Sequence, residues 1–185
     1  MGEFARTYKT DLTDRQLMGF WGMMQATGRD RAVTYCLPPL DGHGFVRWMR
    51  QDDVHPWFVT WQGQPVGFAY LTNMEGKSAR IHFGTLPQGI RRMGNRKLSV
   101  VHGFGLYILG SLLWEQTVSG GYRLDTIIGL TPVVNKEAVR FIKRCGAQEC
   151  GVIPGACYYH DTGENVPGLV TIYTRETVPG WARVL

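Results

Sequence analysis

A chain of 185 residues has the length of one domain and can bury a hydrophobic core without disulfides or metals. Its 44% apolar and 19% charged content is that of a globular protein and excludes global disorder. The formal net charge of +5 suits a polyanionic partner, whether nucleic acid, an anionic surface or a phosphorylated small molecule.

The sequence argues against a membrane-spanning, secreted or metal-binding protein. The longest apolar stretch, 100–114, is shorter than a bilayer span and contains a histidine and three glycines. The start, MGEFARTYKTD, lacks the apolar core of a signal peptide, so we expect a cytoplasmic protein. The cysteines form no CxxC pair and match no common zinc spacing, so we expect no metal: they are Cys36, Cys145, Cys150 and Cys157.

Two helices and a β-meander are predicted for the first half of the chain. Apolar residues recur at helical spacing in 15–25, and a second helical stretch covers 45–51. Three strands follow, joined by turns so short that they permit only antiparallel pairing: 57–61, 65–73 and 78–86. Six aromatic side chains are expected to pack the helices on the meander, and a subset could line an acceptor pocket: Phe20, Trp21, Trp48, Trp57, Phe58 and Trp61.

The second half is predicted to mix helices and strands. The predicted elements are a Gly- and Arg-rich loop, a long apolar helix, a strand, a second helix and two last strands, at 87–95, 95–115, 124–130, 135–144, 148–153 and 169–175. The polar, glycine-containing segment 154–167 is interpreted as a loop. The order predicts one α/β (α+β) domain over 1–185, with a mixed, mostly antiparallel sheet of about six to seven strands and helices on both faces.

The loop before the long helix is a candidate anion site. A helix N-terminus presents free backbone N–H groups and the positive end of the helix dipole, which suits a phosphate. Glycine permits close approach of the backbone, and arginines add charged hydrogen bonds; the loop contains Arg91, Arg92, Gly94 and Arg96. The loop has neither the P-loop pattern nor a GxGxxG fingerprint, so a plain surface loop remains the alternative.

The order of meander, anion-binding loop, long helix, strand and short helix resembles the GNAT acyltransferase superfamily over about residues 13–175. The family's loop reads Arg/Gln-x-x-Gly-x-Gly/Ala and binds the pyrophosphate of acetyl-CoA. Arg91 and Gly94 match this pattern, whereas Arg96 replaces its last small residue. The resemblance implies that acetyl-CoA is held by the loop, by the backbone of the preceding strand and by one asparagine: Phe83, Gly84, Thr85, Arg91, Arg92, Met93, Gly94, Asn95, Arg96 and Asn135.

The helix at 135–144 carries the second match. Asn135 and Ala138 resemble the family's Asn-x-x-Ala element, which lies beside the acyl and pantetheine end of the cofactor. The alternative is that Asn135 only caps the helix. The family often has a tyrosine seven residues after this asparagine, as general acid toward the leaving thiolate, and this chain has Ile142 there. The general acid therefore remains unassigned.

His82 is the candidate catalytic base. Acyl transfer requires a neutral amine, so a group must remove the ammonium proton. The resemblance places such a group on or near the strand before the loop, which here carries His82. A histidine titrates near working pH, which makes it chemically suitable. The alternative is a histidine packed in the sheet with one hydrogen-bond partner.

The leading hypothesis is an N-acetyltransferase that moves an acetyl or other short acyl group from acyl-CoA to a primary amine by direct attack. The departures at Arg96 and Ile142 also fit a non-catalytic, GNAT-shaped CoA-binding or protein-interaction module. Nucleic-acid binding ranks last, because no stripe of basic and aromatic residues is evident. The amine and the acyl chain length are left open, and proteins of this kind are often homodimers.

Overall fold

The computed structural model describes residues 3–87 and 99–185, which contain a seven-stranded sheet and five helices. The strands are Phe4–Tyr8 (β1), His55–Trp61 (β2), Gln64–Glu75 (β3), Ser78–Thr85 (β4), Thr126–Pro132 (β5), Gln148–Tyr159 (β6) and Glu164–Tyr173 (β7). The helices are Asp14–Ala26 (α1), Asp30–Val33 (α2), Gly42–Arg50 (α3), Val100–Leu113 (α4) and Lys136–Arg144 (α5). Short 3-10 turns cover Lys9–Asp11 and Gly180–Val184.

The sheet has the order β1-β2-β3-β4-β5-β7-β6, in which β4 and β5 are parallel and every other neighbouring pair is antiparallel. The predicted meander is therefore confirmed as β2-β3-β4. Its first turn is formed by Gln62 and Gly63, both at positive φ (51° and 73°), one residue earlier than predicted. The mixed, mostly antiparallel sheet is also confirmed.

Helices cover both faces of the sheet and give the molecule two cores. On one face α4 lies against the centre of the sheet, with buried residues such as Phe104, Ile108 and Leu112. On the other face α1 and α3 pack on β2 and β3 through a second cluster that includes Leu17, Trp21 and Met24. These three residues are spaced at i, i+4 and i+7, which is the stripe that predicts an amphipathic helix. No helix among the described residues is long and apolar enough to cross a membrane.

Two parts of the sheet differ from the sequence prediction. Residues 4–8 form an edge strand, with Phe4 buried, where no element was predicted. The interpretation of 154–167 as a loop is wrong, because β6 and β7 run through most of this segment as a long hairpin. Pro154 is tolerated because β6 is an edge strand, and Pro167 of β7 lies opposite the register shift between Ile153 and Cys157.

Gly110 of α4 permits the C-terminal turn to approach the helix closely. A Cβ at Gly110 would lie 2.7 Å from the backbone nitrogen of Arg183 and 2.8 Å from the carbonyl carbon of Ala182. We expect Gly110→Ala to lower the free energy of unfolding by about 1–3 kcal/mol, because backbone must move to admit the methyl group. Urea denaturation measures the change.

Gly22 of α1 provides the matched control. It is exposed, and a Cβ there would meet nothing within 4 Å. Gly22→Ala should raise the free energy of unfolding by about 0.5–1 kcal/mol, because alanine loses less backbone entropy in a helix. Equal effects of the two substitutions would contradict the close approach at Gly110.

Candidate functional site

The central feature of the site is the point at which β4 and β5 separate. Their parallel pairing starts at Ser78 and Thr126 and ends at Ile81 and Gly129. Beyond this point β4 continues to Thr85 beside β3, and β5 continues to Pro132 beside β7. A wedge-shaped opening between the two strands results.

Backbone groups of both strands turn into this opening. The Leu86 N–H donates to the carbonyl of Val66 on β3. Neighbouring residues of a strand direct their backbone N–H and C=O groups to opposite sides of that strand. Phe83 and Thr85 therefore direct N–H and C=O groups toward the place that β5 has left. On the other side, the Val133 N–H donates to the Pro167 carbonyl of β7. By the same alternation, the backbone N–H and C=O groups of Leu130 on β5 face the opening. Such groups need a hydrogen-bonding partner, which a bound ligand can supply.

A cavity of about 580 Å³ occupies the opening and extends between the strands and α2, α4 and α5. Two predicted cofactor residues of β4, Phe83 and Thr85, line it, as does Asn135. Gly84 is turned away: a Cβ there would lie 2.2 Å from the ring of Phe68. The structure thus brings together Phe83, Thr85 and Asn135 at the cavity. It places Gly84 against Phe68, in the core on the α1/α3 side of the sheet.

Phe83 helps to keep the two strands apart. Its ring lies edge-on to Phe104 of α4 at 5.9 Å and to Phe141 of α5 at 5.2 Å. The side chain therefore belongs to the packing between the two helices and the sheet, while its backbone faces the opening. A residue can serve both purposes because strand side chains stand perpendicular to the hydrogen-bonding direction.

Asn135 is the N-cap of α5. Its Oδ1 accepts a hydrogen bond of 3.0 Å from the backbone N–H of Ala138, so the capping role is confirmed. Within the described residues its Nδ2 group donates to no protein acceptor, and the residue lines the cavity. The cap fixes the side chain and leaves a donor directed at the space where a ligand amide or carbonyl could lie.

His82 is held by two neighbours on β3. Its ring stacks on Tyr70 with centroids 4.4 Å apart, and Nε2 lies 3.0 Å from the Thr72 hydroxyl. Burial, reinforced by the positive charge of Arg80, lowers the pKa of His82 to about 3. The imidazole is therefore neutral at physiological pH, and it lines the cavity.

Tyr35 and Tyr173 line the cavity, as does Ile142, which occupies the position of the family's tyrosine. The Tyr173 hydroxyl is buried near the Thr171 hydroxyl, and its ring packs beside Gly129 where the strands separate. Burial raises the pKa values of both tyrosines, so both keep their protons. Sequence spacing gave no signal for either residue.

The aromatic residues suggested as an acceptor lining lie elsewhere. Trp21 and Phe45 stack in the core under α1 and α3, while Trp57 lies in the core on the other face of the sheet. None of the six named aromatics lines this cavity. Four of the six pack the early helices on the meander as expected: Phe20, Trp21, Trp48 and Phe58. The other two, Trp57 and Trp61, lie on the α4 side of the sheet.

Cationic side chains border the cavity on two sides. Arg140 and Arg144 lie one turn apart on α5. The pKa of His102 on α4 is lowered mainly by burial and further by the positive charge of Arg144. This basic group was not among the site residues predicted from the sequence. Its i, i+4 spacing was a signal, because it places both arginines on one side of α5.

The segment 29–36, called the α2 strap below, closes the opposite side. Arg29 pairs with Glu137 at 3.3 Å, and Arg31 forms an ion pair with Asp161 in the β6–β7 connection. The carbonyl of Tyr35 accepts a 2.7 Å hydrogen bond from the His160 N–H, and the ring of Tyr35 lies 5.1 Å from that of Tyr159. The α2 strap thus ties α5 to the distal hairpin across the cavity.

Six predicted cofactor residues fall outside the described part of the chain: Arg91, Arg92, Met93, Gly94, Asn95 and Arg96. Within 3–87 and 99–185, no group of three or more His, Cys, Asp or Glu side chains is placed to hold a metal ion. The four cysteines are free thiols, of which Cys145 and Cys157 are buried.

Solved structures with the same arrangement decide the fold. Spermidine N-acetyltransferase from Vibrio cholerae, in complex with CoA and spermine, matches with a TM-score of 0.66 over 95% of this chain and 98% of its own, at 14% identity. The microcin C7 self-immunity acetyltransferase, in complex with acetyl-CoA and AMP, matches with a TM-score of 0.68 over 93% and 92%, also at 14% identity. The chain has the GNAT fold.

The expected GNAT-like architecture is therefore confirmed, and the low identity makes this a divergent example of the GNAT fold. No family model matches the sequence, and no curated protein is significantly similar to it. In the GNAT fold of this chain, the opening between β4 and β5 lies at the centre of the sheet, between the two helical layers.

The low pKa of His82 predicts a pH dependence of stability. Between pH 6.5 and about 3 the unfolded chain protonates His82 and the folded chain does not, so the free energy of unfolding falls as the pH is lowered. In His82→Gln this loss should be weaker by about 1.4 kcal/mol per pH unit. Urea denaturation at several pH values measures the slope. His43→Gln, which removes an exposed histidine, is the control; an equal change in both variants would contradict the prediction.

Proposed function

We propose that the chain is an acyl-CoA-dependent N-acyltransferase that moves an acetyl or other short acyl group to a primary amine. The observation that carries the proposal is the opening between β4 and β5, with backbone groups of Phe83 and Thr85 turned into it and a cavity reaching both helical layers. Two neighbours of the same fold were solved with CoA or acetyl-CoA, which supports this use of the cavity.

The described residues fit an acyl-CoA molecule in three respects. The free backbone groups of β4 suit the amides of a pantetheine arm, and Asn135 adds a fixed donor further along the cavity. Arg140 and Arg144 suit the phosphates at its mouth. We assign the pyrophosphate to the loop residues Arg91, Arg92, Met93, Gly94, Asn95 and Arg96, with Gly84 supporting the strand through its packing on Phe68.

The reaction needs proton transfers as well as positioning. Acetyl-CoA supplies an acyl group activated as a thioester. The neutral amine forms a bond to the acyl carbon, the carbon–sulfur bond breaks, the thiolate takes a proton, and the amine releases one. The backbone N–H groups of β4 would polarise the acyl carbonyl, and the cavity would hold the amine in line.

We propose His82 for the amine proton and Tyr173 for the thiolate. With a pKa of about 3 the His82 imidazole is neutral but only weakly basic, so it would accept a hydrogen bond from the amine N–H while the proton itself leaves to water. Tyr173 retains its proton until a thiolate forms beside Gly129. The reaction belongs in the cytoplasm with the acyl-CoA pool, which suits four unpaired thiols.

Calorimetric titration with acetyl-CoA tests the binding half of the proposal. We expect micromolar binding to the wild type, weakened at least about tenfold by Arg91→Ala through the lost charged hydrogen bonds. Asn135→Ser should also weaken binding, because serine still caps α5 but lacks the amide donor. Its melting temperature should stay close to that of the wild type, which separates the ligand role from the cap. A wild type that binds no acetyl-CoA would overturn the proposal.

Thiol release with a panel of primary amines tests the catalytic half. His82→Gln should lower kcat/KM by roughly tenfold while the Kd for acetyl-CoA is unchanged, because the lost hydrogen bond is made to the amine. The wild-type rate should rise with pH until the amine itself is neutral, since His82 is already neutral throughout. Binding of acetyl-CoA without thiol release from any amine would favour the non-catalytic module instead.

A further inference from the structure

Arg80 is a half-buried cation without a carboxylate partner. It lies on β4 two residues before His82 and on the same face, opposite Thr72 on β3 and Ile128 on β5. Its Nε is inaccessible to solvent and meets no hydrogen-bond acceptor within 3–87 and 99–185. Among the described residues, no carboxylate oxygen lies within 4 Å of the guanidinium.

The surroundings of Arg80 are aromatic and lack negative charge. The guanidinium is close enough to influence the pKa values of four side chains, for which burial is the largest cause of the shift: Tyr35, Tyr70, His82 and Cys157. No carboxylate influences any of the four. Two of them, Tyr35 and His82, line the cavity. Arg80 itself does not line the cavity, but it lies two residues before His82 on the same face of β4, which places its charge next to the cavity.

The neighbouring carboxylates are already paired with other arginines. Glu137 pairs with Arg29, and Asp161 pairs with Arg31. A cation that is partly removed from water without a counter-ion is unfavourable, and this cost is recovered when an anion binds. A guanidinium is suited to carboxylate and phosphate groups, which accept two parallel hydrogen bonds from it.

We propose that the acceptor is a primary amine that also carries an anionic group, a carboxylate or a phosphate, and that Arg80 binds this group. The inference rests on the proposed acyltransferase function and names the substrate class of the same cavity. Residues two apart on a strand are separated by about 7 Å, so an amine near His82 and an anion on Arg80 would be a few bonds apart. Amino acids and phosphorylated amino alcohols have this size.

Matched substrate pairs test the proposal. Phenylalanine is compared with phenethylamine, and O-phosphoethanolamine with ethanolamine, by thiol release from acetyl-CoA. We expect the wild type to favour at least one anionic member by about tenfold or more in kcat/KM. Arg80→Met should reduce that preference by about tenfold or more, whereas Arg15→Met, which removes an exposed charge from α1, should preserve it. The pair that shows the preference distinguishes carboxylate from phosphate.

A binding measurement keeps the inference testable if no amine reacts or if Arg80→Met fails to fold. The Nε–H resonance of Arg80 in the wild type, identified by its loss in Arg80→Lys, is followed during titration with the same four compounds. A shift with phenylalanine or O-phosphoethanolamine but not with their neutral-tailed partners supports the role of Arg80.

The two proposals fail in different ways. Thiol release with no preference for anionic amines, or with a preference that Arg80→Met leaves intact, overturns the role of Arg80 and leaves the acyltransferase standing. Absence of acetyl-CoA binding and thiol release overturns the acyltransferase, and the Arg80 resonance then decides the anion site alone. No shift with either anionic compound overturns it.

Discussion

The site depends on a parallel strand pair that stops after four residues. Once β4 and β5 have separated at Ile81 and Gly129, each still has an antiparallel neighbour on its other side, so neither strand needs the other to remain in the sheet. Phe83 fills the space beneath the opening with Phe104 and Phe141. The sheet therefore stays intact around the opening, although β4 and β5 no longer pair with each other there.

The opening joins two regions of different chemistry. Toward α4 and α5 the cavity is bordered by Arg140, Arg144 and the Asn135 amide, which suit an extended phosphorylated molecule. Toward the α2 strap it is bordered by aromatic rings and Arg80 lies nearby, in surroundings that suit a small amine with an anionic tail. The thioester and the amine would meet between these regions, where water is displaced by buried side chains.

Local signals predicted the parts of the fold that depend on neighbouring residues. Turn residues defined the meander, and Asn135 with the apolar pattern after it defined α5. The edge strand β1 was missed because it is stabilised by pairing with β2, about 50 residues away. The parts of β6 and β7 within 154–167 were missed because glycines, prolines and polar residues there are typical of loops. The β4 contribution to cofactor binding was predicted from a resemblance, and two of its residues, Phe83 and Thr85, line the cavity.

Three side chains in or next to the cavity could not be predicted from the sequence: Arg80, Tyr35 and Tyr173. Arg80 is notable only because no carboxylate reaches it, and such an absence is a property of the folded chain. Tyr35 and Tyr173 are brought to the opening by the α2 strap and by β7, which lie 138 positions apart in numbering (173 − 35). Their positions in the sequence do not indicate that both tyrosines line the same cavity.

The α2 strap is fastened differently from the other walls of the cavity. The walls formed by β4, β5 and α4 are held by sheet hydrogen bonds and a buried core. The strap combines a buried Val33 and the backbone hydrogen bond from His160 to Tyr35 with two ion pairs whose carboxylates are exposed, Arg29–Glu137 and Arg31–Asp161. Exposed ion pairs weaken as salt screens them, while buried apolar packing does not. Ionic strength therefore acts on the two ion pairs of the α2 strap and leaves its buried and backbone contacts in place, so salt changes how firmly the strap is fastened to α5 and to the β6–β7 connection.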